Sequence, residues 1–231
     1  MLAIFDTEGV LIDGEFLPEL AKIVGKEEEI WKITKKGISG EIEWEKGLID
    51  RINELKGVSY EDCMKVSDNM PIMNGAKETF NELRQLGFKT ITVSGGPDIL
   101  IDRIKEELQI DYAFSNRLIF EEKKLQGVEI NVGSDKTIPI RNTLDMMNKQ
   151  KDEIVITVDG ANDIKLFDLA GWRISFNGTE IIKEKSDSAV EKKDLREIIP
   201  IIIAFSITSL LLLSTNFPSS INLFSVFYVF F

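Results

Sequence analysis

Two acidic residues, Asp6 and Glu8, stand two positions apart at the end of an apolar run, in the stretch FDTEGV. Ser94 follows another apolar run and precedes two glycines, and Asp159 follows a third such run, in VDGAND. Carboxylates placed in this way can act as nucleophiles, general acids or metal ligands. Each residue taken alone is more typical of a turn or a helix cap, so a chemical role depends on whether they meet in the fold.

The composition limits the chemistry that these residues can perform. The 231 residues include no histidine, which excludes imidazole as a base or a metal ligand. Proton transfer must therefore use carboxylates, lysines or water, and a divalent metal should be a hard cation held by oxygens. The net charge of -11 argues against a nucleic-acid partner. The single cysteine, Cys63, excludes an internal disulfide.

The order of the elements predicts an α/β fold. A short apolar strand, residues 1–5, is followed by four segments with helical spacing, up to about residue 74. From residue 75, helices and strands alternate, which predicts a doubly wound, Rossmann-like parallel sheet covered on both faces. We therefore expect a core of residues 1–13 and 75–197, with residues 14–74 forming an inserted helical cap.

This architecture brings the polar signals together. In a doubly wound sheet the carboxyl ends of the strands meet at one crevice, where ligands bind. Asp6, Ser94 and Asp159 each lie near the carboxyl end of a predicted strand. The sequence therefore predicts one active site at this edge of the sheet, below the cap.

Four motifs occur in a characteristic order: FDTEGV, VSGG, a lysine at position 136, and VDGAND. As a set they resemble the motifs of the haloacid dehalogenase superfamily of phosphatases, and more closely its phosphoserine phosphatase branch, from residue 1 to about residue 200. The resemblance implies Mg²⁺-dependent hydrolysis of O-phospho-L-serine to L-serine and phosphate, a step of serine biosynthesis, through an aspartyl-phosphate. The partner it implies is thus a small phosphorylated amino acid.

The resemblance also implies roles for individual residues. Asp6 would be the nucleophile, and Glu8 the general acid and base. The implied Mg²⁺ site consists of Asp6, the backbone carbonyl of Glu8, Asp159 and, behind them, Asp163. The implied phosphate-binding residues are Ser94, Gly95, Lys136 and Asn162. The alternative for each is structural: a turn, a helix cap, or for Lys136 one more solvated lysine.

Three cap residues match positions that select the substrate in this family. By resemblance, Glu15 would bind the substrate ammonium, Arg51 its carboxylate, and Trp44 would close the pocket. A guanidinium can hold a carboxylate through two hydrogen bonds, which favours phosphoserine over a sugar phosphate. The alternatives are solvated helix charges for Glu15 and Arg51, and cap packing for Trp44.

Two residues depart from the usual family pattern. Glu8 stands where Asp is usual, and Val158 stands where Gly precedes Asp159. A related branch with phosphoserine phosphatase and homoserine phosphotransferase activity also carries Glu at the first position. Transfer to an alcohol such as homoserine is therefore an alternative, as are hydrolysis of another phosphomonoester and, more distantly, binding of a phosphorylated ligand without catalysis.

The C-terminal residues 198–231 carry no charged side chain and form a hydrophobic tail. Lys192, Lys193 and Arg196 precede it, as a cytoplasmic flank would precede a membrane anchor. The alternatives are a helix packed on the domain, or an abnormal end of the reading frame. No secretory signal is visible at the start, so we expect a cytoplasmic protein, with membrane attachment through the tail as one alternative.

Overall fold

The computed structural model describes residues 1–39 and 41–213. Its strands are β1 (Leu2–Phe5), β2 (Lys89–Pro97), β3 (Tyr112–Glu121), β4 (Lys124–Glu129), β5 (Ile154–Val158), β6 (Trp172–Phe176) and β7 (Ser188–Val190). Its α-helices are α1 (Phe16–Ala21), α2 (Glu27–Ile38), α3 (Trp44–Glu54), α4 (Tyr60–Asn69), α5 (Ala76–Gln85), α6 (Asp98–Leu108), α7 (Thr137–Met147), α8 (Glu180–Lys183) and α9 (Ile199–Leu213). Short 3-10 helices cover Lys22–Val24, Lys151–Glu153, Ala161–Leu169 and Leu195–Ile198.

The seven strands form one sheet in the order β4-β3-β2-β1-β5-β6-β7. All neighbouring pairs are parallel except β3 and β4, which form an antiparallel hairpin. In the central strand β1, Ile4 lies opposite Ile91 of β2 and Ile156 of β5. The prediction of a doubly wound, mostly parallel α/β core is therefore confirmed.

The apolar run of β1 is continuous because both faces of the sheet are covered. Ala3 and Phe5 point into one apolar cluster, in which the Phe5 and Phe80 rings lie 5.0 Å apart. Leu2 and Ile4 point into a second cluster on the opposite face. A strand buried on both faces has no polar alternation, which explains the pattern of residues 2–5.

The helices α1 to α4 form a cap that the chain enters and leaves through two adjacent linkers. The backbone N–H of Asp13 donates to the carbonyl of Pro71 at 3.0 Å, and the N–H of Met73 donates to the carbonyl of Leu11 at 2.8 Å. The two linkers therefore hold each other through main-chain hydrogen bonds.

The β3–β4 hairpin of the core fixes the far side of the cap. The loop between α3 and α4 pairs with β4 through Gly57 N–H to the Leu125 carbonyl and Leu125 N–H to the Val58 carbonyl, both at 2.8 Å. The Tyr60 N–H donates to the Lys123 carbonyl at 2.8 Å. These bonds set the direction of α3, whose first residues lie over the carboxyl ends of the strands.

The segment before α9 holds both linkers. The Lys193 ammonium lies 2.6 Å from a carboxylate oxygen of Asp13 in the first linker. In the second, the Asn74 carbonyl accepts the Leu195 N–H at 2.7 Å, and the Asn74 side chain donates to Asp194 at 3.1 Å. The end of the core thus fixes the base of the cap.

Two elements differ from the sequence expectation. The glycines of FKTITVSGG predict a strand that ends at Gly95 and Gly96, but β2 continues to Pro97 because a bulge lets the strand pair with β3 on both sides of the glycines. The spacing of apolar residues in ANDIKLFDLAG predicts an α-helix, whereas the structure has a 3-10 helix from Ala161 to Leu169.

Helix α9, at the start of the hydrophobic tail, packs on the core. Ile202 and Phe205 are buried, and the Phe205 ring lies 6.3 Å from that of Trp172. The Ser209 hydroxyl donates to the Asp152 carbonyl at 2.7 Å. Of the alternatives for the tail, packing on the domain therefore describes the first part of this helix.

In the described part of the chain, no helix is both long and apolar enough to span a bilayer. The predicted anchor covered the whole tail, residues 198–231; its first part is helix α9, and residues 214–231 lie outside the described residues, so membrane attachment stays a prediction.

We expect Phe205→Ala to lower the free energy of unfolding by about 3 kcal/mol, the low end of the range for a buried phenylalanine. The reason is that Phe205 is 6% exposed, whereas Ile207 in the same helix is 49% exposed. The matched control Ile207→Ala should change it by less than about 0.5 kcal/mol. Urea unfolding of the full chain measures both, and equal small effects would show that α9 is not packed as described.

Candidate active site

Three carboxylates converge where β1 and β5 end. Asp6 follows β1 and Asp159 follows β5, and these strands are adjacent, with Phe5 opposite Thr157. Asp163 reaches the same place from the 3-10 helix that follows β5. One carboxylate oxygen from each of Asp6, Asp159 and Asp163 lies within 4.8 Å of the other two. Such a set of oxygens is what a hard divalent cation prefers.

Lys136 stands immediately before α7 and reaches into this cluster. Its ammonium lies 2.9 Å from Asp6 Oδ1 and 2.5 Å from Asp163 Oδ1, and the residue is 4% exposed. Burial alone would lower the pKa of Lys136, but the Asp163 and Asp6 carboxylates raise it above its ordinary value. Lys136 is therefore a fixed cation, and the alternative of a solvated lysine is wrong.

The cluster carries more negative charge than Lys136 neutralises. Burial, followed by the neighbouring charge of Asp6, raises the pKa of Asp159 to about 7. The same two causes raise the pKa of Asp163 well above its usual range. A divalent cation among these oxygens would remove the repulsion, so the residues present fit a metal ion.

The bulge in β2 carries the VSGG motif. Val93 pairs with Phe114 and Pro97 with Asn116, so three residues of β2 face one of β3. The backbone from Ser94 to Gly96 consequently leaves the ladder, as is usual where a strand turns toward a site. The buried Ser94 hydroxyl accepts the Gly96 N–H at 3.0 Å, which fixes the shape of the bulge.

The Glu8 carboxylate connects three parts of the site. Its Oε1 accepts the N–H of Phe16, the first residue of α1, at 2.6 Å. Its Oε2 lies against the bulge, 2.4 Å from where a Cβ on Gly96 would stand. Burial raises the pKa of Glu8 to about 7; the Phe16 N–H opposes this shift and the Asp6 charge strengthens it.

Arg51 is buried in the cap with its guanidinium held in place. Its Nε donates to the Gly47 carbonyl and its Nη1 to the Thr34 hydroxyl, both at 3.0 Å. The guanidinium carbon lies 5.1 Å from the centre of the Trp44 ring. Burial lowers the pKa of Arg51, and the negative charges of Glu8 and Glu15 oppose that change. The alternative of a solvated helix charge is therefore wrong for Arg51.

Glu15 and Trp44 complete the cap side of the site. Glu15 is partly buried directly before α1. Burial, then the charges of Glu8, Asp159 and Asp6, raise its pKa well above the usual range, while Arg51 opposes this. The Trp44 indole lies against the bulge, because a Cβ on Gly95 would stand 2.5 Å from its Cζ2. The cap is therefore closed onto the core.

The structure brings all the residues predicted for the site to this one place. They are Asp6, Glu8, Glu15, Trp44, Arg51, Ser94, Gly95, Lys136, Asp159, Asn162 and Asp163. Asn162 contributes by donating from its amide to Asp163 Oδ2 at 3.2 Å.

Comparison with known proteins places this site in a family. A model of the haloacid dehalogenase-like hydrolases matches residues 1–171. The chain belongs to this hydrolase family. It is 38% identical to a phosphoserine phosphatase of Methanocaldococcus jannaschii over 201 residues, which cover 86% of this chain and 95% of that protein. It is 36% identical to one of Wolinella succinogenes, covering 86% and 98% of the two chains.

Solved structures of phosphoserine phosphatases have a similar fold. One described as a phospho-aspartyl intermediate analogue of phosphoserine phosphatase superposes with a TM-score of 0.83 at 38% identity, over 87% of this chain and 97% of that one. A substrate-bound phosphoserine phosphatase complex gives a TM-score of 0.83 at 37% identity, with the same coverage.

The structure also shows residues around the site that were not predicted from the sequence. Among them, Asn116 makes four hydrogen bonds. Its buried side-chain amide donates to the carbonyls of Gly95 at 2.9 Å and Val132 at 3.0 Å. Its Oδ1 accepts the N–H groups of Asn131 and Val132, both at 2.8 Å. Asn116 therefore ties the bulge to the segment that leads to Lys136. The available signal was a single Asn inside the strand YAFSNRLIF.

Gly9 and Glu45 were also missed. Gly9 has a φ of +80°, and a Cβ there would stand 2.1 Å from Asp159 Oδ2, so the carboxylate occupies the space of a side chain. Glu45, next to Trp44, accepts the Ser134 N–H at 2.7 Å and so joins the cap to the segment before Lys136. A glycine following the acidic pair was a usable signal for Gly9, whereas nothing local marks Glu45.

The departure at Val158 causes no strain. Val158 is fully buried at the end of β5, where it pairs with Ser175, and it is not among the described residues with positive φ. A valine is therefore an ordinary strand residue at this position.

We expect Gly96→Ala to reduce kcat of the hydrolase about a hundredfold, because the new methyl group displaces the Glu8 carboxylate by about an ångström. The matched control is Gly127→Ala, whose Cβ would stand 3.8 Å from Ile119 Cδ1, an ordinary contact. Phosphate release from a phosphomonoester measures both variants. Full activity in Gly96→Ala would show that the position of Glu8 is not critical.

Proposed function

We propose that this hydrolase releases phosphate from O-phospho-L-serine through an aspartyl-phosphate. The observation that carries the proposal is the charge pattern of the closed pocket. A buried guanidinium and a partly buried carboxylate, Arg51 and Glu15, lie near each other over the acidic cluster at Asp6. Phosphoserine presents a carboxylate for Arg51, an ammonium for Glu15, and a phosphate for the cluster once Lys136 and a bound metal offset its negative charge. The names of the matched relatives support the same substrate.

Asp6 is the proposed nucleophile. Its Oδ1 accepts the Thr7 N–H at 2.7 Å and lies 2.9 Å from the Lys136 ammonium, so the carboxylate has a fixed orientation. Attack forms a bond between an Asp6 oxygen and phosphorus and breaks the bond from phosphorus to the serine oxygen. A second attack by water on phosphorus breaks the Asp6–phosphorus link and frees phosphate.

Glu8 is the proposed proton carrier in both steps. It gives its proton to the departing serine oxygen, and afterwards takes a proton from the attacking water. A pKa raised to about 7 by burial suits a group that must hold and release a proton near neutral pH. The longer side chain of Glu, compared with the usual Asp, reaches the Phe16 N–H and is held by it.

Phosphate binding is assigned to Ser94, Gly95, Lys136 and Asn162. Ser94 and Gly95 offer a hydroxyl and a backbone N–H from the bulge, and Lys136 offers a positive charge that cannot move away from Asp6. Arg51 is assigned to the substrate carboxylate and Glu15 to its ammonium, and Trp44 is assigned to closing the pocket.

The metal is proposed to be Mg²⁺, held by Asp6, Asp159 and the backbone carbonyl of Glu8, with Asp163 supporting it. When bound, Mg²⁺ would neutralise part of the negative charge shared by the nucleophile and the phosphate. The clustering of the carboxylates supports this choice, since Mg²⁺ prefers oxygen ligands.

We expect Asp6→Asn to abolish phosphate release from phosphoserine, because the amide cannot form the acyl phosphate. The sharper test of the substrate is Arg51→Lys, compared on phosphoserine and on O-phosphoethanolamine, which lacks the carboxylate. Arg51→Lys also loses the hydrogen bonds to Gly47 and Thr34, which affects both compounds alike. KM should therefore rise at least about tenfold more for phosphoserine than for phosphoethanolamine, because only phosphoserine loses a bidentate contact.

Arg173→Lys, on a surface residue that pairs with Asp187, is the control. Equal kcat/KM of the native enzyme for both compounds would contradict the phosphoserine assignment. Homoserine added to the same assay detects transfer, because phosphohomoserine would then appear in place of part of the free phosphate.

We expect Mg²⁺ to stabilise the protein by about 1.4 kcal/mol at ten times its dissociation constant, since it binds only the folded cluster. Asp159→Asn should melt at a higher temperature than the native protein in a chelator, because one repelling carboxylate is removed. The variant should also lose the rise in melting temperature that Mg²⁺ causes in the native protein. Asp168→Asn, on an exposed residue, is the control. If Mg²⁺ raised the melting temperature of Asp159→Asn as much as that of the native protein, Asp159 would not belong to the metal site.

A further inference from the structure

The indole N–H of Trp44 is a donor that the cap carries to the active site. Trp44 is the first residue of α3, with Arg51 over its ring and Gly37 beside it, where a Cβ would stand 3.4 Å from Cε3. Nε1 is buried, and no acceptor for it lies among residues 1–39 and 41–213. Buried indole N–H groups usually have an acceptor, because a buried donor without a hydrogen bond costs free energy.

The position of Nε1 indicates which acceptor it serves. A Cβ on Gly95 would stand 2.7 Å from Nε1, 2.7 Å from Cε2 and 2.5 Å from Cζ2. With a Cα–Cβ bond of about 1.5 Å, Nε1 lies within about 4.2 Å of the Gly95 Cα. This side of the indole therefore faces the bulge of β2, where Gly95 is assigned to phosphate.

The neighbouring side chains of the bulge do not supply the acceptor. The Ser94 hydroxyl accepts from Gly96 N–H and Glu8 Oε1 from Phe16 N–H, and among the described residues neither side chain accepts from Trp44 Nε1. The Arg51 guanidinium lies over the ring, whereas the indole N–H donates in the plane of the ring, so the donor does not point at Arg51. An oxygen of a phosphoryl group beside Gly95 fits both the direction and the chemistry of the donor.

We propose that the Trp44 indole N–H donates a hydrogen bond to a phosphate oxygen of the substrate, so that closure of the cap adds a phosphate ligand to those of the core. The proposal rests on the assignment of Gly95 to phosphate under the proposed function. It goes beyond closing the pocket, which any aromatic ring of similar size would do. Because the donor belongs to the cap, the bond exists only while the cap is closed, and it favours reaction in the closed state.

Inorganic phosphate tests the contact without any turnover. The chain has three tryptophans, Trp31, Trp44 and Trp172, and hence three indole N–H resonances in a proton–nitrogen NMR spectrum. Single Phe variants assign them. Phosphate added to the Mg²⁺-loaded full chain should move the Trp44 proton resonance downfield, as a new hydrogen bond to an anion does, and leave those of Trp31 and Trp172 in place. An unmoved Trp44 resonance at saturating phosphate overturns the proposal.

Trp44→Phe isolates the donor, because it keeps an aromatic ring against Gly95 and Arg51 but lacks the N–H. We expect phosphate to bind about tenfold more weakly to this variant, the value of one hydrogen bond to a charged group. Trp31→Phe is the matched control and should bind phosphate as the native chain does.

Equal phosphate affinity in Trp44→Phe and Trp31→Phe overturns the inference, whether or not phosphoserine is the substrate. If phosphoserine is not hydrolysed but the Trp44 resonance moves and Trp44→Phe loses phosphate affinity, the proposed function fails and the phosphate contact stands. The two proposals therefore have separate outcomes.

Discussion

The structure depends on one concentration of buried charge at the carboxyl ends of β1 and β5. Asp6, Asp159 and Asp163 bring their oxygens together, and Lys136 is the only cation in direct contact with them in the described part of the chain. Burial of these carboxylates and the repulsion among them work against folding, and the same two causes, burial first and then the Asp6 charge, raise the pKa of Asp159. The surrounding sheet, with apolar clusters on both faces, supplies the stability that keeps the charges close together.

The parts around this cluster hold it from several directions. Asn116 joins the bulge to the segment before Lys136, Gly9 leaves room for Asp159, and Glu8 links the end of β1 to the start of α1. The cap adds Glu45, which binds the backbone of Ser134. A shift in any of these elements would move a residue of the site.

The two departures from the family pattern differ in their consequences. Val158 is accommodated without backbone strain in a regular strand, where it pairs with Ser175. Glu8 alters the geometry, because its longer side chain reaches α1, and so the proposed proton carrier and the entrance to the cap are directly connected. The hydrogen bond to Phe16 is a physical reason for having glutamate at this position. From the family pattern alone, the glutamate is only an unusual residue.

The sequence by itself determined the fold class, the inserted helical segments and most of the site. Strands β1 and β5 are short and apolar and are followed directly by Asp6 and Asp159, and Ser94 follows the apolar part of β2. A local pattern is therefore sufficient to place these three residues at one crevice. Only the tertiary structure decided that Lys136 is buried between two carboxylates, that Asn116 and Glu45 support the site, and that α9 packs on the core. Those contacts join residues about 20 to 130 positions apart through the packing of separate elements. Local patterns of residue spacing do not predict such contacts.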